Sequence, residues 1–95
     1  MEMMFLAILE RGPESFGMFS PDIPGCVAAA LCAEDVRMLY RSAAESHIAD
    51  LFAHGDSLPT PSGSERAAAI VAESPEGLTL EWVAVLMPAG SIPRG

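Results

Sequence analysis

Lysine is absent from this sequence, whose five basic residues are all arginines, against 13 acidic residues and a formal net charge of −8. Nucleic-acid binding draws much of its affinity from Lys and Arg side chains that neutralise phosphates, so direct binding of DNA or RNA is not expected. An acidic surface favours a basic protein partner through electrostatic steering. Solubility alone is the simpler explanation of the charge.

Long hydrophobic runs are also missing, because no apolar segment approaches the roughly 20 residues of a membrane helix. The N-terminus lacks the positive segment of a signal peptide, so we expect a soluble, cytoplasmic protein. Hydrophobic residues make up 51% of the 95 positions, which is enough for a packed core. We expect one domain over residues 1–87 and a tail over residues 88–95. Because so small a domain buries little surface, we also expect a homo-oligomer, a dimer or larger.

The few metal-ligating residues do not form a recognised motif. Cys26 and Cys32 match neither a CxxC nor a zinc pattern, so we interpret them as buried free thiols, with a disulfide as the alternative. His47, Asp50 and His54 could share one side of a helix and bind a metal. Two turns separate the histidines, about 10 Å, which is too far for one ion without another element. We therefore predict no metal and no cofactor.

The hydrophobic pattern predicts an α+β fold in the order β-β-β-α-(α)-β. A strand that returns after a helix normally runs parallel, so we expect a mixed four-stranded sheet with the first strand central, packed on one long helix. That helix has apolar residues at helical spacing, with Cys32 at its N-cap and Gly55 after its end. Ser64 is expected to cap the second helix. The predicted strands are Met3–Leu9, Phe16–Ser20, Cys26–Ala30 and Leu78–Met87, and the predicted helices are Ala33–His54 and Glu65–Ala72.

The last predicted strand has one face that is apolar throughout and a second that changes from polar, at Thr79 and Glu81, to apolar. Trp82 belongs to the face that includes Leu78 and Leu86, and we interpret it as a core residue under the helix, with an interface role as the alternative. Val83, Val85 and Met87 share the other face. They are the residues we expect at an oligomer interface.

The segment from Phe16 to Cys26, FGMFSPDIPGC, specifies a fixed bend, because Pro21 and Pro24 lock φ and Gly25 permits unusual backbone angles. It resembles the YGVxFPDLPGC segment of the HicB-like antitoxins. The helix beginning near AEDV and the HGDSLPTPS segment extend that resemblance along the chain. The resemblance implies a partial ribonuclease H-like fold and a protein that binds and masks a small basic HicA-like toxin, an mRNA interferase.

The sequence departs from the family in three respects. Ser20 stands where relatives have an aromatic or aliphatic residue, and the helix N-cap is Cys32 rather than Ser or Thr. Only residues 88–95 follow the last strand, so a DNA-binding C-terminal segment is not expected.

Ribonuclease H catalysis needs clustered carboxylates to hold metal ions, and the strand MMFLAIL offers none, so we predict that the protein is not an enzyme.

Three hypotheses about function remain. The first is an antitoxin whose acidic residues near the bend, Glu10, Glu14 and Asp22, contact the toxin, although Asp22 is more simply explained as a brace within the turn. The second is a stand-alone homo-oligomeric interaction domain, which the apolar face of the last strand motivates. The third is a small enzyme or metal protein that uses His47 and its neighbours.

Overall fold

The sheet is built around a central strand that is apolar on both faces. The computed structural model describes residues 1–61, 65–73 and 76–88, and orders the strands β3-β2-β1-β4. Residues Phe5 to Leu9 of β1 are all buried, as expected for a strand covered on both sides. The elements are β1 (Glu2–Arg11), β2 (Phe16–Phe19), β3 (Val27–Ala30), α1 (Ala33–Ala53), α2 (Glu65–Glu73) and β4 (Leu78–Leu86).

The α+β class is confirmed, but the prediction of a mixed sheet is wrong. Each neighbouring pair of strands is antiparallel, including β1 and β4. The reason lies in the connection before β4. Helix α1 carries the chain from one end of the sheet to the other, and the segment containing α2 carries it back. The chain therefore enters β4 beside the end of β1, where the Arg11 amide donates to the Gly77 carbonyl at 2.6 Å.

The larger core lies between α1 and one face of the sheet, called here the inner face. Helix α1 contributes four fully buried residues at a spacing of four, which places them in one stripe. This stripe is narrower than the sequence pattern indicated, because Leu39 is 50% and Phe52 is 42% exposed. The buried residues of α1 are Val36, Tyr40, Ala44 and Ile48.

A second, smaller core lies on the outer face of the sheet, beneath α2. Leu6 and Ile8 of β1 pack there with Ala67 of α2, flanked by Phe19 and Leu78. Helix α2 begins at the predicted residue, and the predicted cap Ser64 lies outside the described residues. This helix covers only part of the outer face, which leaves the neighbouring part of β4 uncovered.

The two faces of β4 are the reverse of those predicted. Val83, Val85 and Met87 are buried in the inner core against α1, so they do not form the exposed oligomer interface that we expected. Trp82 lies on the outer face with 58% of its surface exposed, so its interpretation as a core residue under the helix is also wrong. The outer face of β4 is apolar throughout and the inner face only from Val83 onwards, and this pattern does not determine which of them meets α1.

The ends of α1 lie within one residue of the predicted ones. Cys32 occupies the N-cap position without a side-chain hydrogen bond, and Gly55 follows the helix with a φ of 73°. The cysteines are both free. Cys26 is buried as expected, whereas Cys32 is exposed. None of the helices in the described ranges is long and apolar enough to cross a membrane.

Candidate protein-binding surface

The bend after β2 is closed by the side chain of Ser20. Its hydroxyl donates to the Leu6 carbonyl at 2.9 Å and accepts from the Asp22 amide at 3.2 Å. Because Ser20 is only 3% exposed, an aliphatic side chain there could not satisfy either backbone group. The serine that departs from the family pattern therefore has a structural role.

Asp22 is directed inward and towards α2. Only 5% of its side chain is exposed, and its Oδ1 lies 3.7 Å from Nη1 of Arg66. The carboxylate therefore connects the bend to α2. This placement agrees with a bracing role and argues against Asp22 as a residue available to a partner.

Tyr40 is a fully buried residue beside the same bend. Its hydroxyl has no hydrogen bond of good geometry with the described residues, although Ser20 is close. Burial raises the pKa of Tyr40 well above its ordinary value, and the proximity of Ser20 offsets only part of that effect. Burial likewise raises the pKa of the neighbouring Cys26 thiol. Burial therefore favours the neutral forms of the Tyr40 phenol and the Cys26 thiol.

We expect the stability of the domain to fall at alkaline pH because of Tyr40. In the unfolded chain this hydroxyl ionises near about pH 10, whereas the folded protein holds the proton to higher pH. The contribution of the neutral phenol is therefore complete below about pH 10 and is lost as the pH rises further. Tyr40 is the only tyrosine, so its absorbance reports the titration directly.

The control for this titration is the variant Tyr40→Phe, whose unfolding free energy should lack that alkaline slope. Tyrosinate absorbance is followed against pH in native buffer and in denaturant. If the hydroxyl titrates at the same pH in both, the proposed burial effect is wrong.

Exposed carboxylates meet at one end of the sheet, called here the acidic end. The register places Glu10 opposite Gly17 and Leu78, so the β1–β2 turn and the start of β4 lie together. Phe16 pairs with Ala30, which brings the start of α1 to the same end. The acidic end therefore comprises the exposed residues Glu10, Glu14, Glu34 and Glu76.

The charge of the acidic end is only partly balanced, because Arg11 lies at the same end of the sheet and Arg37 interacts electrostatically with Glu34. No ion pair to Glu10, Glu14 or Glu76 forms within the described residues, while Arg11 lies over the Phe16 ring at 6.0 Å. Two of the three predicted partner-binding residues, Glu10 and Glu14, lie here. Asp22 lies beyond the opposite end of β2, so the structure does not bring all three together.

An apolar surface borders the edge strand β3, and the sequence analysis did not identify it. It is called here the β3 patch. Its residues come from the β3–α1 turn and the outer side of α1, with exposures from 50% to 83%. A cleft beside it contains Asp35, so the patch lies next to acidic residues. Exposed apolar clusters of this kind mark interaction sites. The β3 patch consists of Leu31, Met38 and Leu39.

The histidine cluster considered as a metal site is not assembled in this structure. His54 has its Nδ1 2.7 Å from the backbone oxygen of Asp50. His47 and Asp50 line a cleft that also includes Gly25. Within residues 1–61, 65–73 and 76–88, no three His, Cys, Asp or Glu side chains are grouped as metal ligands.

Comparison with solved structures finds HicB proteins. A chain of the HicA3 and HicB3 toxin-antitoxin complex is 27% identical, with a TM-score of 0.71 over 88% of this chain and 99% of that one. Antitoxin HicB3 is 26% identical, with a TM-score of 0.71 over 98% of this chain and 68% of that one. The N-terminal domain of Burkholderia Pseudomallei antitoxin HicB shares the fold, at 24% identity and a TM-score of 0.64 over 90% of this chain and 99% of that one.

Comparison with protein-family models finds no match, and comparison with curated proteins finds none either. The structural likeness defines the class of this chain: an α+β domain with the fold of the HicB N-terminal domain. Within that class the chain is similar to HicB antitoxins, which confirms the resemblance carried by the FGMFSPDIPGC segment.

Proposed function

We propose that this protein binds a small basic HicA-like toxin and masks it, without catalysis of its own. The observation that carries the proposal is the likeness to a chain of the HicA3 and HicB3 toxin-antitoxin complex, which extends over 99% of that chain. The central strand adds support against catalysis, since residues Phe5 to Leu9 are apolar and buried and supply no carboxylate for metal ions.

The acidic end is the surface that we assign to the toxin. Its carboxylates are exposed, and a basic toxin would be attracted to them before contact. The neighbouring β3 patch offers apolar area that a stable interface needs at its centre. An RNA-cleaving toxin carries positive charge where it binds RNA, so an acidic surface would compete for that same region. Masking would follow from occlusion.

The test is a binding experiment with a purified HicA-like toxin. Charge reversal of the acidic end, in the double variant Glu10→Arg and Glu14→Arg, should lower the association rate at low salt by about tenfold or more. The salt dependence of the rate should also become flatter. Stopped-flow mixing gives the rate, and inhibition of the toxin's RNA cleavage gives the masking.

The matched control is the double variant Asp50→Arg and Asp56→Arg, which makes the same change in net charge at exposed positions near the end of α1, away from the acidic end. It should leave the association rate close to that of the unmodified protein. Equal losses in the two variants would mean that net charge, and not the acidic end, controls association. Failure of the unmodified protein to bind any HicA-like toxin would refute the proposed function.

A further inference from the structure

Strand β4 forms one edge of the sheet and has backbone groups that are directed away from β1. The Met87 amide donates to the Met1 carbonyl, so the odd-numbered amides of β4 are directed towards β1. In an antiparallel ladder the alternate residues are directed the other way, which applies to Leu80, Trp82 and Ala84. The described part of the chain places no strand on this side. The edge can therefore accept another strand.

The outer face of the same strand is apolar and exposed. Trp82 is 58% exposed, Leu86 53% and Leu80 38%, and Met4 of β1, opposite Ala84, is 48% exposed. Helix α2 covers the neighbouring part of this face and leaves these side chains uncovered. We call them the β4 patch. An open strand edge beside exposed apolar side chains is a template for pairing with a further strand.

The charges around β4 are balanced, unlike those of the acidic end. Arg37 donates two hydrogen bonds of 2.7 Å to the Glu81 carboxylate. Arg41 has its Nη2 2.7 Å from Oε2 of Glu2 and its Nε 3.3 Å from Oε2 of Glu45. A basic partner therefore gains little electrostatic attraction at β4, and a second acidic chain meets little repulsion there. These charges fit a second copy of this protein better than a basic toxin.

The β3 edge is a poorer site for self-association. It has four residues, Val27–Ala30, against nine in β4. The exposed carboxylates of Glu34 and Asp35 lie beside the β3 patch, so two copies that met there would bring like charges together. The outer face of β4 is therefore the more favourable surface for self-association. We had expected that surface on the other face of this strand, at Val83 and its neighbours.

We propose that two copies of this protein pair through the edges of β4, antiparallel about a two-fold axis near Trp82. In this register Leu80 of one copy lies opposite Ala84 of the other, and the two Trp82 side chains are neighbours on the outer face. The Leu86 amide is excluded from the ladder, because it already donates to the Glu45 carboxylate at 2.7 Å. That bond limits the pairing to the part of β4 before Leu86. The paired residues Leu80 to Ala84 do not include the acidic end, which lies at the start of β4.

The test compares three variants by sedimentation and by fluorescence. Trp82→Lys places a charge on the β4 patch, and Ala84→Pro removes an amide that bonds to the second copy but not to β1. Both should weaken the dimer by about tenfold or more while circular dichroism stays unchanged. Leu39→Lys, on the β3 patch, is the control and should leave the dimer intact.

Trp82 is the only tryptophan, so the emission of the unmodified protein should shift with concentration.

The outcomes separate this proposal from toxin binding. A dimer that is lost in Trp82→Lys and Ala84→Pro, and retained in Leu39→Lys, supports it whether or not a toxin binds. The proposed dimer is overturned if the protein is a monomer at all concentrations. This includes a monomer in which another part of the same chain covers Trp82. A dimer that persists in both β4 variants or is lost in Leu39→Lys also overturns the proposal.

Discussion

Replacement of Tyr40 by alanine is expected to lower the free energy of unfolding by about 3–5 kcal/mol. Tyr40 is fully buried and is first among the largest buried side chains, at the centre of the α1 stripe. Its removal leaves a cavity between α1 and the inner face of the sheet, and the packed side chains around it can collapse only in part. Domains of this size have a total stability of about 5–15 kcal/mol, so the loss is a large share of it.

The matched variant Tyr40→Phe keeps the ring and removes only the hydroxyl. That hydroxyl has no hydrogen bond with the described residues, so its loss should change the unfolding free energy by less than about 1 kcal/mol. Denaturant titration followed by circular dichroism measures both variants. A loss of more than about 2 kcal/mol in the phenylalanine variant would show that the hydroxyl is hydrogen-bonded after all.

Replacement of Gly77 by alanine is expected to cost about 2–4 kcal/mol through two effects. The φ of Gly77 is 76°, which an L-residue adopts at a cost of about 1–2 kcal/mol. In addition, a Cβ at this position would lie 2.9 Å from the carbonyl oxygen of Arg11, so the backbone must shift. That shift disturbs the hydrogen bond from the Arg11 amide to the Gly77 carbonyl, which joins β1 to the start of β4 at the acidic end.

Gly55→Ala is the control, because the φ of Gly55 is 73° and a Cβ there meets no atom within 4 Å. Its cost should be about 1–2 kcal/mol, the part that the backbone angle alone explains. Thermal and denaturant unfolding compare the two variants under the same conditions. Equal costs would mean that the contact with Arg11 relaxes without loss. Gly77→Ala should also weaken the proposed binding of a toxin at the acidic end, because Glu10 and Glu76 are next to Arg11 and Gly77 in the sequence.

Most of the local structure could be predicted from the sequence because each element has a strong local signal. The two-sided apolar run of β1 indicated a central strand, and residues Phe5 to Leu9 are indeed all buried. Helix α1 followed from its spacing of apolar residues, and its end followed from Gly55. The bend at Phe16 to Cys26 followed from Pro21 and Pro24, which fix φ, and from Gly25, which permits its φ of 83°. The resemblance of that segment to HicB-like antitoxins indicated the fold.

Placement of the candidate surface was only partly predictable. Glu10 and Glu14 were identified from their position near the bend, and the fold brings them together with Glu34 and Glu76 at the acidic end. Asp22 has the same chemistry but is directed inward, towards Arg66 on a distant segment. No local pattern distinguishes an exposed carboxylate from one that a later helix covers.

The sequence by itself determined the elements, the bend and the acidic character of this protein, because these depend on backbone restrictions, residue spacing and composition. Tertiary structure alone decided the direction of β4 and which of its two faces meets α1. The direction depends on how often the chain crosses the sheet before β4. The choice of the buried face depends on packing, because side chains alternate between the two faces in the same way along the whole strand. It is also the choice that buries Val83 and leaves Trp82 exposed at the open edge.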